Sequence, residues 1–186
     1  MLLSLLLCVA AVSAEPLRRH ANTNDTKPVH DLVSRLGFPA GVKFSFTLSA
    51  AGTGGLQCTG ALKECARIDR SSDGAVTIVG SSVPAITYGL GQYLRSACFA
   101  SLTWVKTGGL DVRRCTNATG LLPPMPAGVP TVYTRSVKWT YYQNVVDSSY
   151  SFAWFSKARW QVEVDWMALV RCCCCCCSCC CSCCPC

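Results

Sequence analysis

Cysteine carries the most conspicuous chemical capacity in this chain of 186 residues: 12 of its 17 cysteines lie between Cys172 and Cys186, in the run CCCCCCSCCCSCCPC. Thiolates are soft ligands for Zn²⁺ or Cu⁺. Neighbouring residues cannot all turn their sulfurs to one ion, and structural metal sites space their cysteines by about two to four residues. The run therefore reads as an unstructured low-complexity tail with no metal site, and a cysteine-rich metal-binding secreted protein is the competing reading. Outside it stand Cys8, Cys58, Cys65, Cys98 and Cys115, together with Glu15, Glu64 and Glu163, the three glutamates of the chain.

Residues 2–14, LLSLLLCVAAVSA, form a short apolar stretch ending in the small residues Val12-Ser13-Ala14. This is the pattern of a secretory signal peptide cut after Ala14. Cleavage removes Cys8 and leaves four cysteines before the tail, an even number suited to disulfides in an oxidising compartment. Cys58 with Cys65 can close one small loop and Cys98 with Cys115 another, but four cysteines admit three connectivities and spacing does not choose among them. Two sequons, at Asn24 and Asn117, mark candidate glycosylation sites consistent with that route. The expected location is the secretory pathway, with the lysosome or the extracellular space as destination. No apolar run reaches the roughly 18 residues needed to cross a bilayer, so no membrane association is expected after cleavage.

The net charge of +7 arises from 17 Lys and Arg against 10 Asp and Glu. The cations are dispersed along the chain, with doublets only at Arg18-Arg19 and Arg113-Arg114. Without a basic stripe, an aromatic RNA-binding motif or zinc-finger spacing, nucleic acid is not an expected partner. A mild preference for polyanions such as sulfated glycans is what this charge supports.

The elements that must position these groups follow from periodicity. Val29, Leu32, Val33 and Leu36 keep helical spacing up to Gly37, and residues 42–48 alternate as a strand. Residues 50–60 read as a loop, and a second strand over 75–79 follows the Asp73-Gly74 turn signal. Residues 80–82 turn the chain, a serine caps, Pro84 fits a first helical turn, and the helix continues to about Cys98. Ile86, Leu90, Tyr93, Leu94 and Ala97 share one face, and residues 102–105 suit a further strand. Four prolines in LLPPMPAGVP predict a linker. Beyond it, residues 137–145 have strand composition, and residues 158–169 place Trp160, Val164, Met167 and Ala168 at helical spacing.

This last segment carries a specific likeness. Tyr141-Tyr142-Gln143-Asn144-Val145, Ser149-Tyr150-Ser151-Phe152, Trp154, Arg159-Trp160, Glu163 and Asp165-Trp166-Met167-Ala168-Leu169 closely resemble the start of the catalytic barrel in lysosomal α-N-acetylglucosaminidases, glycoside hydrolase family 89. Upstream, Gly89, Leu90, Tyr93-Leu94-Arg95, Cys98 and Trp104 resemble the small N-terminal domain of that family. The resemblance implies an α/β fold class: a small N-terminal sheet-plus-helices domain, then an incomplete start of a (β/α)8 barrel. The expected division is 1–14 signal peptide, 15–28 lead-in, 29–118 N-terminal α/β domain, 119–134 Pro-rich linker, 135–169 barrel start and 170–186 tail.

The family role it implies is retaining hydrolysis of terminal α-N-acetylglucosamine from heparan sulfate by two barrel glutamates, with no cofactor. Glu15, Glu64 and Glu163 match neither glutamate, so no catalytic residue is expected in this chain, whose expected partner is a heparan sulfate-type glycan once a barrel is complete, with the oligomeric state left open. Asn144 corresponds to a family asparagine near the end of the first barrel strand, where an amide can bond sugar hydroxyls. Val146 stands where many members have a pocket cysteine, and Phe155-Ser156-Lys157 departs from the family's W-W-D-W string. A non-catalytic glycan-binding module is the alternative.

After Leu169 the likeness stops. Val170-Arg171 is what an intron's opening codons encode, so the cysteine run reads as translated intron sequence. Without a complete barrel, Trp154, Trp160, Trp166 and Met167 are expected to miss their usual barrel partners, each side chain left exposed forfeiting roughly 1.5–3 kcal/mol of burial. The segment beyond Pro130 is expected to be loosely ordered, with the tyrosines and tryptophans serving mainly as packing groups.

Overall fold

The computed structural model describes residues 25–104, 109–113, 115–116, 120–137 and 152–170. In chain order the elements are α1 (Lys27–Leu36), β1 (Phe44–Leu48), β2 (Cys65–Arg70), β3 (Val76–Gly80) and α2 (Val83–Ser96). These are followed by β4 (Ser101–Leu102), β5 (Leu110–Asp111), β6 (Val132–Thr134) and α3 (Lys157–Val170).

Local chemistry explains the helix ends. Pro28 sits in the first turn of α1, where its missing N–H costs nothing, and Gly37 closes the helix in the left-handed region at φ 73°. At α2, the extended Ser82 accepts a hydrogen bond from the Ala85 N–H at 3.1 Å, satisfying one of the free donors of the first turn.

The main sheet has the order β1-β3-β2-β6, with β1 parallel to β3 and the remaining pairs antiparallel. Register aligns Phe46, Ile78 and Ile68 across three strands, and the two-residue period puts Ala66 and Val76 on the same side. Ile86, Leu90, Tyr93 and Leu94 of α2 join these residues in one buried core with Val29 and Leu32 of α1. Close approach depends on Gly89, where a Cβ would lie 2.9 Å from the Ala66 Cβ and 3.1 Å from the Ile78 Cγ2. Ser45, Thr47 and Asp69 alternate out to solvent. The sheet therefore has one packed and one largely wetted face, a two-layer α/β arrangement.

Several expectations need correction. Strand β2 arises in a segment with no assigned strand: its alternation is short, with only Ala66 and Ile68 on the apolar side before Arg70 takes the next inward position, and antiparallel pairing with β3 supplies the order. Among the described residues, the strand expected over 102–105 is limited to Ser101–Leu102, which pairs with β5 in a two-stranded sheet. The proline-rich stretch is not a free linker. Leu122 is buried in the core, the Pro123 carbonyl accepts the Tyr93 hydroxyl proton, and Val132–Thr134 is the edge strand β6. Among the described residues, regular structure is thus found beyond Pro130, where β6 completes the hydrogen bonding of β2.

Helix α3 is also better placed than its spacing suggested. Leu169 is fully buried in the same core as α2, with Ala168 and Val170 packed against it. Gly91 makes the contact possible: a Cβ there would lie 1.9 Å from the Leu169 carbonyl oxygen. Trp160 packs edge-on against Phe152 at 4.9 Å and lies near Phe155, neighbours from its own segment, whereas Trp154 is 95% exposed. The stripe expected to be apolar has Val164 half exposed, and the deeply buried positions are Glu163, Asp165 and Leu169. The strand expected over 137–145 lies, apart from Val137, outside the described residues, as do the leader and the cysteine run.

Candidate functional site

Two carboxylates buried on one helix define the most strongly polar interior place among the described residues. Glu163 is 1% exposed and Asp165 4%. Burying an ionised carboxylate is expensive unless it is paired and hydrogen-bonded, and both are. Arg35, in the last turn of α1, donates from Nε to Asp165 Oδ2 and from Nη2 to Oδ1, each at 2.8 Å. This is a two-pronged guanidinium–carboxylate fork between residues 130 apart in sequence. Those bonds raise the Arg35 pKa above its ordinary value. Gln161 adds a donor to Asp165 Oδ1 at 3.0 Å.

Glu163 is served from a different direction. Its Oε2 accepts from Trp104 Nε1 at 3.1 Å and from Arg159 Nη2 at 3.0 Å. Arg159 also lies over the Phe155 ring at 4.4 Å, joining the ion pair to the Phe152, Phe155 and Trp160 cluster at the start of α3. Trp104 follows β4 in the loop closed by the Cys98–Cys115 disulfide.

A second knot ties the chain just before β2, at the N-terminus of α2. Glu64 accepts from Ser82 Oγ at 2.8 Å and from Arg135 Nη1 at 2.6 Å, while the Arg135 N–H donates to the Glu64 carbonyl at 2.7 Å. The carboxylate thus sits by the N-terminus of α2, where the helix dipole favours negative charge. It also fixes Arg135, just beyond β6.

Chemically, these carboxylates are engaged in positioning. Glu163 and Asp165 each face their own cationic or N–H partners, which is not the arrangement of an acid and a nucleophile flanking a shared substrate space. The recess lined by Gly41, Lys43, Asp73, Gly120 and Leu122 holds only about 60 Å³, far below the roughly 300–1,000 Å³ of ligand pockets.

Of the site residues expected from sequence, Asn144, Val146, Asn24 and Asn117 lie outside the described residues. The four cysteines are joined as Cys58–Cys65 and Cys98–Cys115. The segment containing Asn144 and Val146 is flanked by Arg135, held by Glu64, and by Phe152, which is buried. Sequence reasoning missed the roles of Arg35, Asp165, Glu64 and Arg135. Arg35 is not among the apolar residues at helical spacing in α1, and nothing in its position in the sequence points to a partner so distant. In α3 the helical spacing of Trp160, Val164, Met167 and Ala168 pointed to an apolar inner face, and nothing in the sequence marked Glu163 and Asp165 as buried positions.

Comparison with known proteins places this architecture. The alpha-N-acetylglucosaminidase (NAGLU) N-terminal domain family matches residues 27–123, and the alpha-N-acetylglucosaminidase (NAGLU) tim-barrel domain family matches residues 140–173. Human alpha-N-acetylglucosaminidase is 41% identical over 96 residues, covering 50% of this chain and 11% of that protein. The chain therefore spans about a tenth of the length of this relative. Among solved structures, a family 89 glycoside hydrolase from Clostridium perfringens in complex with 2-acetamido-1,2-dideoxynojirmycin superposes with a TM-score of 0.58 and 20% identity, covering 80% of this chain and 15% of that one. A variant of the C. perfringens enzyme in complex with its substrate GlcNAc-alpha-1,4-galactose gives a TM-score of 0.54 at 20% identity, covering 77% and 15%. Those two likenesses concern the fold. With its first match extending over more than half its length, the chain belongs to the alpha-N-acetylglucosaminidase N-terminal domain family.

Proposed function

We propose that this chain is the front portion of an α-N-acetylglucosaminidase-like glycoside hydrolase, in which the N-terminal α/β domain is the platform carrying the first helix of the catalytic barrel. The observation that carries this reading is the seating of α3 in the core of the N-terminal domain, through Leu169 against Gly91. The exposed Trp154, Val162 and Val164 are then surface awaiting the next barrel elements. The completed enzyme removes terminal α-N-acetylglucosamine from heparan sulfate-type glycans, with Asn144 and the neighbourhood of Val146 touching the sugar. The chain is directed into the secretory pathway by residues 1–14, toward the lysosome or the extracellular space, and carries glycans at Asn24 and Asn117. Among the described residues no helix is long and apolar enough to cross a membrane.

By itself the chain supplies no pair of carboxylates for the reaction and turns over no substrate. The test is release of the chromophore from a chromogenic α-N-acetylglucosaminide. The 186-residue chain is expected to give none, and a product of the same gene that continues past Leu169 into a complete barrel is expected to give sustained release. Turnover by the short chain, or none by the long one, would contradict the proposal.

A further inference from the structure

Helix α3 is seated in the core through Leu169, with Ala168 and Val170 packed there, yet its other deeply buried positions are acidic. Val162 and Val164 are 36% and 49% exposed, while Glu163 and Asp165 are turned inward. Two of the partners of these acids, Arg159 and Gln161, belong to α3 itself and would rotate with it. Two others do not. Arg35 belongs to α1, and Trp104 belongs to the loop closed by Cys98 and Cys115. A rotated helix would leave both without these carboxylates, and would leave any carboxylate still buried short of its partner, which low-polarity surroundings penalise strongly.

Resting on the reading of α3 as the first barrel helix, we infer that Arg35 and Trp104 are positioning residues that set the rotation of α3. The N-terminal domain thereby chooses which side of that helix is presented outward. Neither residue touches substrate. Their action is on the frame from which the barrel begins, and the Arg35 fork, with two parallel hydrogen bonds, supplies the stricter geometric constraint.

The experiment is limited trypsinolysis of the full 186-residue chain, following by mass spectrometry the initial cleavage after Arg159 in α3 against cleavage after Arg70 in β2. Cleavage within a helix requires local opening, so the ratio reports α3 separately from the whole fold. Arg35→Ala is expected to speed cleavage after Arg159 on the order of tenfold, leaving Arg70 unchanged, because Asp165 stays buried without its cation. Adding Asp165→Ala should bring the rate part of the way back, since no stranded charge remains. Arg35→Lys, which keeps the charge and loses the fork, should fall between wild type and Arg35→Ala, and Trp104→Phe should accelerate Arg159 cleavage alone. A double variant cleaved faster than Arg35→Ala, no change in Arg35→Ala, or equal acceleration at both sites in Arg35→Lys would overturn the inference. No glycan and no turnover enter this readout, so it stands or fails apart from the glycosidase assay.

Discussion

The Tyr93 ring is fully buried beneath the sheet while its hydroxyl donates to the Pro123 carbonyl at 2.7 Å, so one side chain joins α2 to the proline-rich stretch. Replacing it by phenylalanine keeps the ring and strands the carbonyl, and the expected loss is about 1 kcal/mol in urea unfolding. The same burial raises the phenol pKa, with Arg70 opposing weakly. The direction of the pH effect follows: above about pH 10 the unfolded chain releases the Tyr93 proton while the folded chain retains it. The contribution held below that pH is lost as pH rises further, so wild type should lose stability faster than Tyr93→Phe through this window. Parallel decline of the two would contradict it. At this scale sequence was informative where a residue acts on its neighbours, as Ser82 and Gly37 do at helix ends. It was silent where the partner is remote, as with Arg35 and Asp165 or Glu64 and Arg135.

Between elements, the α2–α3 contact is controlled by the absence of a side chain. A Cβ at position 91 meets the Leu169 carbonyl oxygen at 1.9 Å, and backbone cannot rotate out of the way as a side chain would. Gly91→Ala should push the end of α3 off α2, forfeiting roughly 1.5–3 kcal/mol of Leu169 burial against a helix-propensity gain of about 1. The two sites should then be coupled: Leu169→Ala, costing about 2–5 kcal/mol in the parent, should cost much less in the Gly91→Ala background. Equal costs in both backgrounds would contradict the contact. Periodicity revealed α1, β1, β3 and α2 because each has one apolar side to bury. It did not reveal β2, whose apolar side is only Ala66 and Ile68 before Arg70 breaks the alternation, nor β6, a three-residue edge strand that exists through pairing with β2. Short edge strands take their order from the neighbour, and their own composition says little.

For the whole molecule, one core runs from Val29 in α1 to Leu169 in α3, crossing the division expected between an N-terminal domain and a barrel start. The fold class was legible because strand and helix signals occur in an order that suits layers of helix on sheet. The joining of the two regions was not, because it depends on buried ion pairs, a glycine contact and the course of the proline-rich stretch. Dispersed cations likewise acquire a role only in three dimensions: Arg35, Arg135 and Arg159 each hold a buried or half-buried acid. The platform role of the N-terminal domain is tested most directly by native-state hydrogen exchange on the unmodified chain, comparing the amides of residues 160–169 in α3 with those of 86–94 in α2. Protection of the two sets to within about an order of magnitude is the expected result. Exchange of the α3 amides at the rate of an unstructured peptide, with α2 still protected, would contradict it.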